Sequence, residues 1–167
     1  MSRRLRLAIA LLTLPALGSA ADPFETFREG ILGVPWGATL DDVVGMYPNG
    51  DHVFATTPGH RAYWVKEGQT FLGIPRERNG VLYGMNENNR LVSVAVAFEY
   101  ERKEQLRQTL LSLFGPPDKD VGKDTISYAW RSNGRLIGVT EFGKPHQRIV
   151  WLSIAAPGYE RRKEKCP

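Results

Sequence analysis

Hydrophobic and polar residues follow two different periods along this chain. Between residues 40 and 47 the apolar side chains recur at positions i, i+3, i+4 and i+7, which is the spacing of one helix face. Thr39 stands before this stretch and Asp42 three residues later, a capping-box pattern that predicts a helix start. A second apolar stripe predicts a helix from Lys103 to Phe114, which a Gly-Pro-Pro sequence then ends.

The other regular segments are short runs of β-branched and aromatic residues separated by turn residues. The clearest predicted strand, Leu91 to Glu99, carries bulky side chains on one face (Val92, Val94, Val96, Phe98) and small ones on the other (Ser93, Ala95, Ala97). Because small side chains permit close approach, we expect the following helix to cover the small face. An antiparallel meander is predicted within 53–98, and further strands at 125–131, 135–142 and 148–154.

The two halves of this pattern resemble each other, which predicts the fold class. Three landmarks recur at offsets of 67, 66 and 65 residues: Tyr47 and Phe114, Trp64 and Trp130, Gly73 and Gly138. The sequence therefore predicts an α+β fold in which two successive helix-then-three-strand units, residues 31–100 and 101–157, form an antiparallel sheet with helices on one face. The alternative is an ordinary α+β domain in which these spacings coincide by chance.

The N-terminus has the features of a secretory signal. Three arginines precede an apolar stretch at 7–17, and small residues at 18–20 suit a signal peptidase. We predict a signal peptide at 1–20, a lead-in at 21–30, one domain at 31–157 and a basic tail at 158–167. The mature protein is expected in the periplasm or the exterior, and no apolar stretch reaches the ~20 residues of a transmembrane helix.

Charge and cysteine content narrow the choice of partners. Removing three signal arginines from the 22 basic residues leaves 19 against 18 acidic ones, and most of the excess lies in the tail. The domain therefore lacks the basic surface expected of a nucleic-acid-binding protein. Cys166, the single cysteine, has no internal partner, so it is either incidental or pairs between chains.

A search for catalytic patterns leaves few candidates. The sequence contains no nucleophile elbow, phosphate-binding loop or zinc-binding helix motif, and three isolated histidines (His52, His60, His146) lie in predicted surface turns. No metal or cofactor is predicted. An alternative hypothesis is a small hydrolase that pairs carboxylates from the loop Asp118–Asp124 with an acid near Glu101.

The aromatic and arginine residues supply the candidates for binding. Three tryptophans lie in predicted strands, where core packing is expected: Trp64, Trp130 and Trp151. Trp36 instead stands in a Gly-Pro turn, as an exposed contact or as a plug between helix and sheet. Arg131 and Arg135 flank the Asn-Gly turn of a predicted hairpin. Trp36, Arg131 and Arg135 are therefore the candidate residues of a binding surface.

Two segments carry a resemblance to known families. The turn-helix opening at 32–43 resembles that of many small periplasmic proteins, and the helix end at Phe114–Asp118 resembles the "G-x-P" end of the SmpA/OmlA assembly lipoproteins and the β-lactamase-inhibitor-protein-like superfamily. The resemblance implies helices packed on an antiparallel sheet, in tandem in the inhibitors, and a protein-binding role. The chain lacks the lipid-anchored cysteine of the lipoproteins, and no functional residue carries over.

The leading hypothesis is an exported, non-enzymatic domain that binds a protein or envelope component on the exposed face of its sheet. Two alternatives remain open. One is the paired-carboxylate hydrolase, and the other is a structural envelope protein whose basic tail contacts anionic lipid.

Overall fold

A computed structural model describes residues 23–54, 59–66, 70–76, 80–118, 126–132, 135–143 and 148–159. The predicted signal peptide, Cys166 and most of the predicted tail lie outside these residues. The helices are α1 (Pro23–Thr26), α2 (Leu40–Met46) and α3 (Lys103–Phe114), with a 3₁₀ turn at Tyr100–Arg102. The strands are β1 (Gly30–Ile31), β2 (Val34–Pro35), β3 (Asp51–Phe54), β4 (Arg61–Val65), β5 (Val81–Met85), β6 (Leu91–Glu99), β7 (Ile126–Ser132), β8 (Arg135–Phe142) and β9 (Ile149–Ala155).

Seven of these strands form one antiparallel sheet in the order β3-β4-β5-β6-β9-β8-β7. Neighbouring strands are consecutive in sequence except at the centre, where β6 pairs with β9. The sheet thus consists of two meanders, β3 to β6 and β7 to β9, whose last strands meet. The predicted α+β class with an antiparallel sheet is confirmed.

One face of the sheet packs against both longer helices. Val94, Val96 and Phe98 of β6 belong to a single buried cluster that includes Leu106 and Leu110 of α3. The α2 side contacts the same face through Tyr47, whose ring stacks on Tyr83 of β5. Tyr83 pairs with Val94 in register, so its side chain points to the same side. The helices therefore cover the bulky face.

The expectation that a helix covers the small face of β6 is wrong. Ser93, Ala95 and Ala97 point away from both helices, because burial in the cluster selects the larger side chains. At the start of the strand a register shift beside Gly84 and Met85 also changes the alternation: Leu91, not Val92, is fully buried. The small residues thus belong to the opposite face of the sheet.

The capping box predicted for α2 is present. Thr39 accepts a hydrogen bond from the backbone N–H of Asp42, and the Asp42 carboxylate accepts one from Thr39 N–H at 2.8 Å. The Thr39 hydrogen bonds lower the pKa of Asp42. The helix end of α3 also follows the sequence, since Gly115 takes a φ of 72° that disfavours other residues.

Each longer helix ends against an aromatic residue from a strand of its own meander. The Tyr63 hydroxyl of β4 donates to Tyr47 O at 2.7 Å, and the Trp130 indole of β7 donates to Gly115 O at 3.1 Å. Tyr63 and Trp130 are both buried. Tyr63 and Trp130 thus make similar contacts with helix ends, whereas Trp64, which the sequence paired with Trp130, lies on the other side of β4.

The other proposed landmarks fare differently. Gly73 lies in a tight turn between Phe71 and Ile74, whereas Gly138 lies within β8, so these glycines are not equivalent. Tyr47 and Phe114 do occupy comparable places at the ends of α2 and α3. Of the three predicted pairs, only Tyr47 and Phe114 therefore lie at comparable positions in the structure.

Residues 23–30, assigned to a lead-in by the sequence, contribute to the core. Phe24 and Phe27 are buried, and the Phe27 ring stacks on Phe71 with centroids 6.0 Å apart. Arg76, at the end of the segment that contains Phe71, is also buried, with 3 % of its surface exposed. Burial lowers the pKa of Arg76, opposed by nearby groups that include the Glu99 carboxylate. These segments cover the helix side of the sheet.

Candidate binding surface

The sheet face away from the helices carries two tryptophans in contact. Trp64 of β4 and Trp151 of β9 have ring centroids 5.4 Å apart and ring planes inclined by 54°. Strands β5 and β6 lie between them, so their backbones are separated by three strand spacings, roughly 14 Å. Both indoles therefore extend across the intervening strands. Each remains partly exposed.

Small residues beneath the indoles make this arrangement possible. Trp151 pairs with Ala97, which is fully buried, and Gly80 lies under the Trp64 ring. A Cβ atom at Gly80 would lie 2.9 Å from the Trp64 indole and closer still to Val65 O. The small face of β6 thus accommodates tryptophan rings rather than a helix.

This face also carries Leu82 of β5, which pairs with both Trp64 and Ala95, and beyond it short side chains. One cross-strand row runs through adjacent strands from β6 to β7 and contains nothing larger than serine: Ala95, Ser153, Gly138, Ala129. Gly138 and Ala129 are buried, so we call the Trp64–Trp151 pair together with Ala95 and Ser153 the open face. At its β3 edge, exposed Lys66 and Asp51 form an ion pair of 2.7 Å.

Strand alternation is the signal that could have located Trp64 and Trp151. In β9, Val150, Leu152 and Ile154 share one face and are fully buried, which places Trp151 on the other. Trp64 likewise alternates with buried Tyr63 and Val65. Core packing, expected for all three strand tryptophans, holds for Trp130, whereas Trp64 and Trp151 lie outside the buried cluster.

Trp36 lies elsewhere, between β2 and α2. Its indole N–H donates to Phe27 O at 2.7 Å, which fixes the ring between the N-terminal segment and the sheet. One side of the ring lines a shallow cleft of about 380 Å³, together with Arg28, Arg90 and Tyr159. Trp36 is therefore both a plug and a lining residue, two roles that the sequence left as alternatives.

The three predicted surface residues do not form one cluster. Arg131 is exposed near the end of edge strand β7, and Arg135 begins β8, with its side chain outside the described residues. Trp36 lines the cleft, where neither arginine is a lining residue.

The structure does not bring together the described carboxylates of the hydrolase hypothesis, Asp118 and Glu101. The Asp118 carboxylate accepts a hydrogen bond from Arg131 N–H, while Asp118 N–H donates to Ala129 O at 2.9 Å. Asp118 thus occupies hydrogen-bonding positions along the outer edge of β7. Asp120 and Asp124 lie outside the described residues, and Glu101 is exposed in the 3₁₀ turn.

Charged groups near α3 pair with one another. Lys103 forms an ion pair with Glu141 of β8, and the hydrogen bond to Glu141 raises the pKa of Lys103. Hydrogen bonds from Arg107 and then Gln108 lower the pKa of Glu104 to about 2. Within the described part of the chain, no group of three or more His, Cys, Asp or Glu residues is placed to bind a metal ion.

Comparisons with protein-family models, curated proteins and solved structures give no match to this chain. Among the residues that the structure describes, none of the helices has both the length and the apolar character needed to cross a membrane.

Proposed function

We propose that this chain is an exported, non-enzymatic binding domain whose open face engages a protein or another component of the cell envelope. The observation that carries the proposal is the pair of partly exposed tryptophans, Trp64 and Trp151, on the sheet face that neither longer helix contacts. Tryptophan is enriched among the residues that dominate binding energies, and a polar rim around an apolar centre is typical of such surfaces.

The shape of the open face supports a broad partner rather than a small molecule. Beside the tryptophans it carries the short side chains of Ala95 and Ser153, which leave a partner close access to the sheet. Small-molecule sites are usually concave and enclose most of the ligand. A flat surface with an aromatic centre suits contact with an extended or macromolecular partner.

We also propose that the domain arose as two related helix-and-meander units. Tyr47 and Phe114 end the two longer helices, and the residues that anchor those ends, Tyr63 and Trp130, follow each of them sixteen positions later. The first unit has an additional strand, β3. Under this proposal β6 and β9 are equivalent strands that meet at the centre of the sheet.

The function can be tested by photocrosslinking. A benzoylphenylalanine replacing Trp64 or Trp151 in the mature chain should crosslink to an envelope component, while the same group at Leu113 should not. Leu113 is a suitable control because it is an exposed apolar residue, 38 % accessible, on α3 at the opposite side of the sheet. Crosslinks of equal yield from Leu113, or none from either tryptophan position, would refute the proposed surface.

Affinity for the crosslinked component then gives a quantitative test. Trp64→Ala and Trp151→Ala should each weaken binding by roughly 30-fold, as expected for residues at the centre of an interface. Leu113→Ala should bind like the wild type. Thermal unfolding of each variant shows whether the fold is retained, and Trp64→Phe should recover part of the affinity because it restores an aromatic ring.

A further inference from the structure

We propose that the cleft beside Trp36 is a binding site for a small organic anion, a carboxylate or phosphate attached to an apolar body. The cleft has a volume of about 380 Å³ and is wide open to solvent, so a bound ligand would keep part of its surface exposed. Its lining combines two guanidinium groups with aromatic and aliphatic surface: Arg28, Arg90, Trp36, Val92, Pro157, Tyr159.

The two arginines give the lining of the cleft a positive charge. No carboxylate is among the described residues that line it, whereas Arg28 and Arg90 both are. Guanidinium groups bind carboxylates and phosphates through paired N–H donors, which neutral ligands cannot match. An anion is therefore the ligand that this lining favours.

Both guanidinium groups have donors available for a ligand. Arg28 makes only long ion pairs with Glu25 and Glu29, at 3.5 and 3.7 Å, between largely exposed side chains. Such pairs contribute little and exchange readily. Arg90 uses Nη1 to donate to Gly37 O at 3.2 Å, and a guanidinium carries five N–H donors.

Asp42, an acidic residue whose pKa Arg90 affects, is held in the capping box of α2. The hydrogen bonds from Thr39, and to a smaller extent the positive charge of Arg90, lower the pKa of the Asp42 carboxyl group. Its Oδ2 atom accepts hydrogen bonds from the backbone N–H and the hydroxyl of Thr39, at 2.8 and 2.7 Å. The capping box thus holds Asp42 at the start of α2, and among the described residues no ion pair or hydrogen bond joins it to Arg90.

Backbone hydrogen bonds fix three of the four segments that line the cleft. Gly37 N–H donates to Leu91 O at 3.0 Å, and Ala156 N–H donates to Val92 O at 2.8 Å. The turn that follows is closed by Tyr159 N–H donating to Ala156 O at 3.1 Å. A site whose walls are already ordered loses little conformational entropy when a ligand binds. The apolar body of the ligand would lie against Trp36 and Pro157.

The test uses benzoate and phenyl phosphate as anionic probes and benzamide as the neutral counterpart. In two-dimensional NMR of the labelled mature chain, at least one anion should shift the amide signals of Gly37, Val92 and Gly158 in a saturable way. Benzamide should bind at least tenfold more weakly, because it carries no negative charge and cannot form an ion pair with the arginines. Tighter binding of benzoate identifies a carboxylate ligand, and tighter binding of phenyl phosphate a phosphate.

Two arginine variants complete the experiment. Arg90→Gln should weaken binding of the better anion by about tenfold or more. Arg131→Gln, which removes an equal charge from exposed β7, should leave it unchanged. Equal binding of benzamide and benzoate, unaltered affinity of Arg90→Gln, or no saturable shift with either anion would each overturn the proposal. Trp64 and Trp151 do not line the cleft, so failure here leaves the proposed function of the open face intact.

Discussion

The hydroxyl of Tyr63 offers the sharpest test of how the helix layer is held on the sheet. Tyr63 is 1 % exposed, donates to Tyr47 O at 2.7 Å and accepts from Gly50 N–H at 3.0 Å. Tyr63→Phe removes one oxygen atom and both of these hydrogen bonds. The ring should remain in place, because it packs within the buried cluster.

The size of the stability loss depends on the hydrogen bonds that Tyr47 O and Gly50 N–H can still form without the Tyr63 hydroxyl. Gly50 N–H also lies 3.3 Å from Tyr47 O, so the two backbone groups keep each other as weak partners after the substitution. We therefore expect a loss of about 1–2 kcal/mol in the free energy of unfolding, below the upper end for an orphaned buried group. For a domain of this size the melting temperature should fall by roughly 3–8 °C.

Urea unfolding followed by tryptophan fluorescence measures this loss, which should appear as a lower midpoint with an unchanged slope. Tyr128→Phe is the matched control. Tyr128 is partly buried in β7, and its hydroxyl makes no hydrogen bond to other described residues. A loss below about 0.5 kcal/mol for Tyr63→Phe, or one equal to that of the control, would refute the anchoring role of the hydroxyl.

Two further predictions concern charged residues. Asp118→Ala should lower the free energy of unfolding by about 0.5–1.5 kcal/mol and promote self-association, because the β7 edge is then uncovered. Urea unfolding and analytical ultracentrifugation measure the two effects. Asp118→Asn keeps an acceptor oxygen and should have a smaller effect, and equal effects of the two variants would contradict this role of Asp118. Because the pKa of Glu104 is lowered from 4.5 to about 2, its favourable contribution is present above pH about 4.5 and is lost as the pH falls towards 2. The stability difference between wild type and Glu104→Gln should therefore shrink over that interval, and a constant difference would exclude the Glu104–Arg107 interaction as its source.

Local signals in the sequence predicted the regular elements well. The capping box at Thr39 and Asp42 and the glycine after Phe114 define helix ends through contacts within a few residues of each other. The predicted strand 135–142 matches β8 at both ends for the same reason, since turn residues bound it. Features of this kind depend little on the rest of the fold.

Which face of a strand is buried depends on the rest of the fold, and there the prediction failed. In β6 the choice between the bulky and the small face is decided by the neighbours, and the register shift at Gly84 moves Leu91 into the core. The core role of Phe24 and Phe27 was missed for a similar reason. Their partners, such as Phe71, lie more than forty residues away and leave no periodic pattern near them.

Two adjacent residues of β4 have different roles because they lie on opposite faces of the sheet. Tyr63 points into the helix layer and anchors the end of α2, whereas Trp64 points to the open face and contacts Trp151. Strand alternation makes this separation unavoidable, because neighbouring side chains emerge on opposite sides. The proposed function therefore requires the two variants to behave oppositely: Tyr63→Phe should reduce stability while partner affinity is kept, and Trp64→Ala should reduce affinity more than stability. If both variants lost affinity only in proportion to lost stability, the open face would have no binding role of its own.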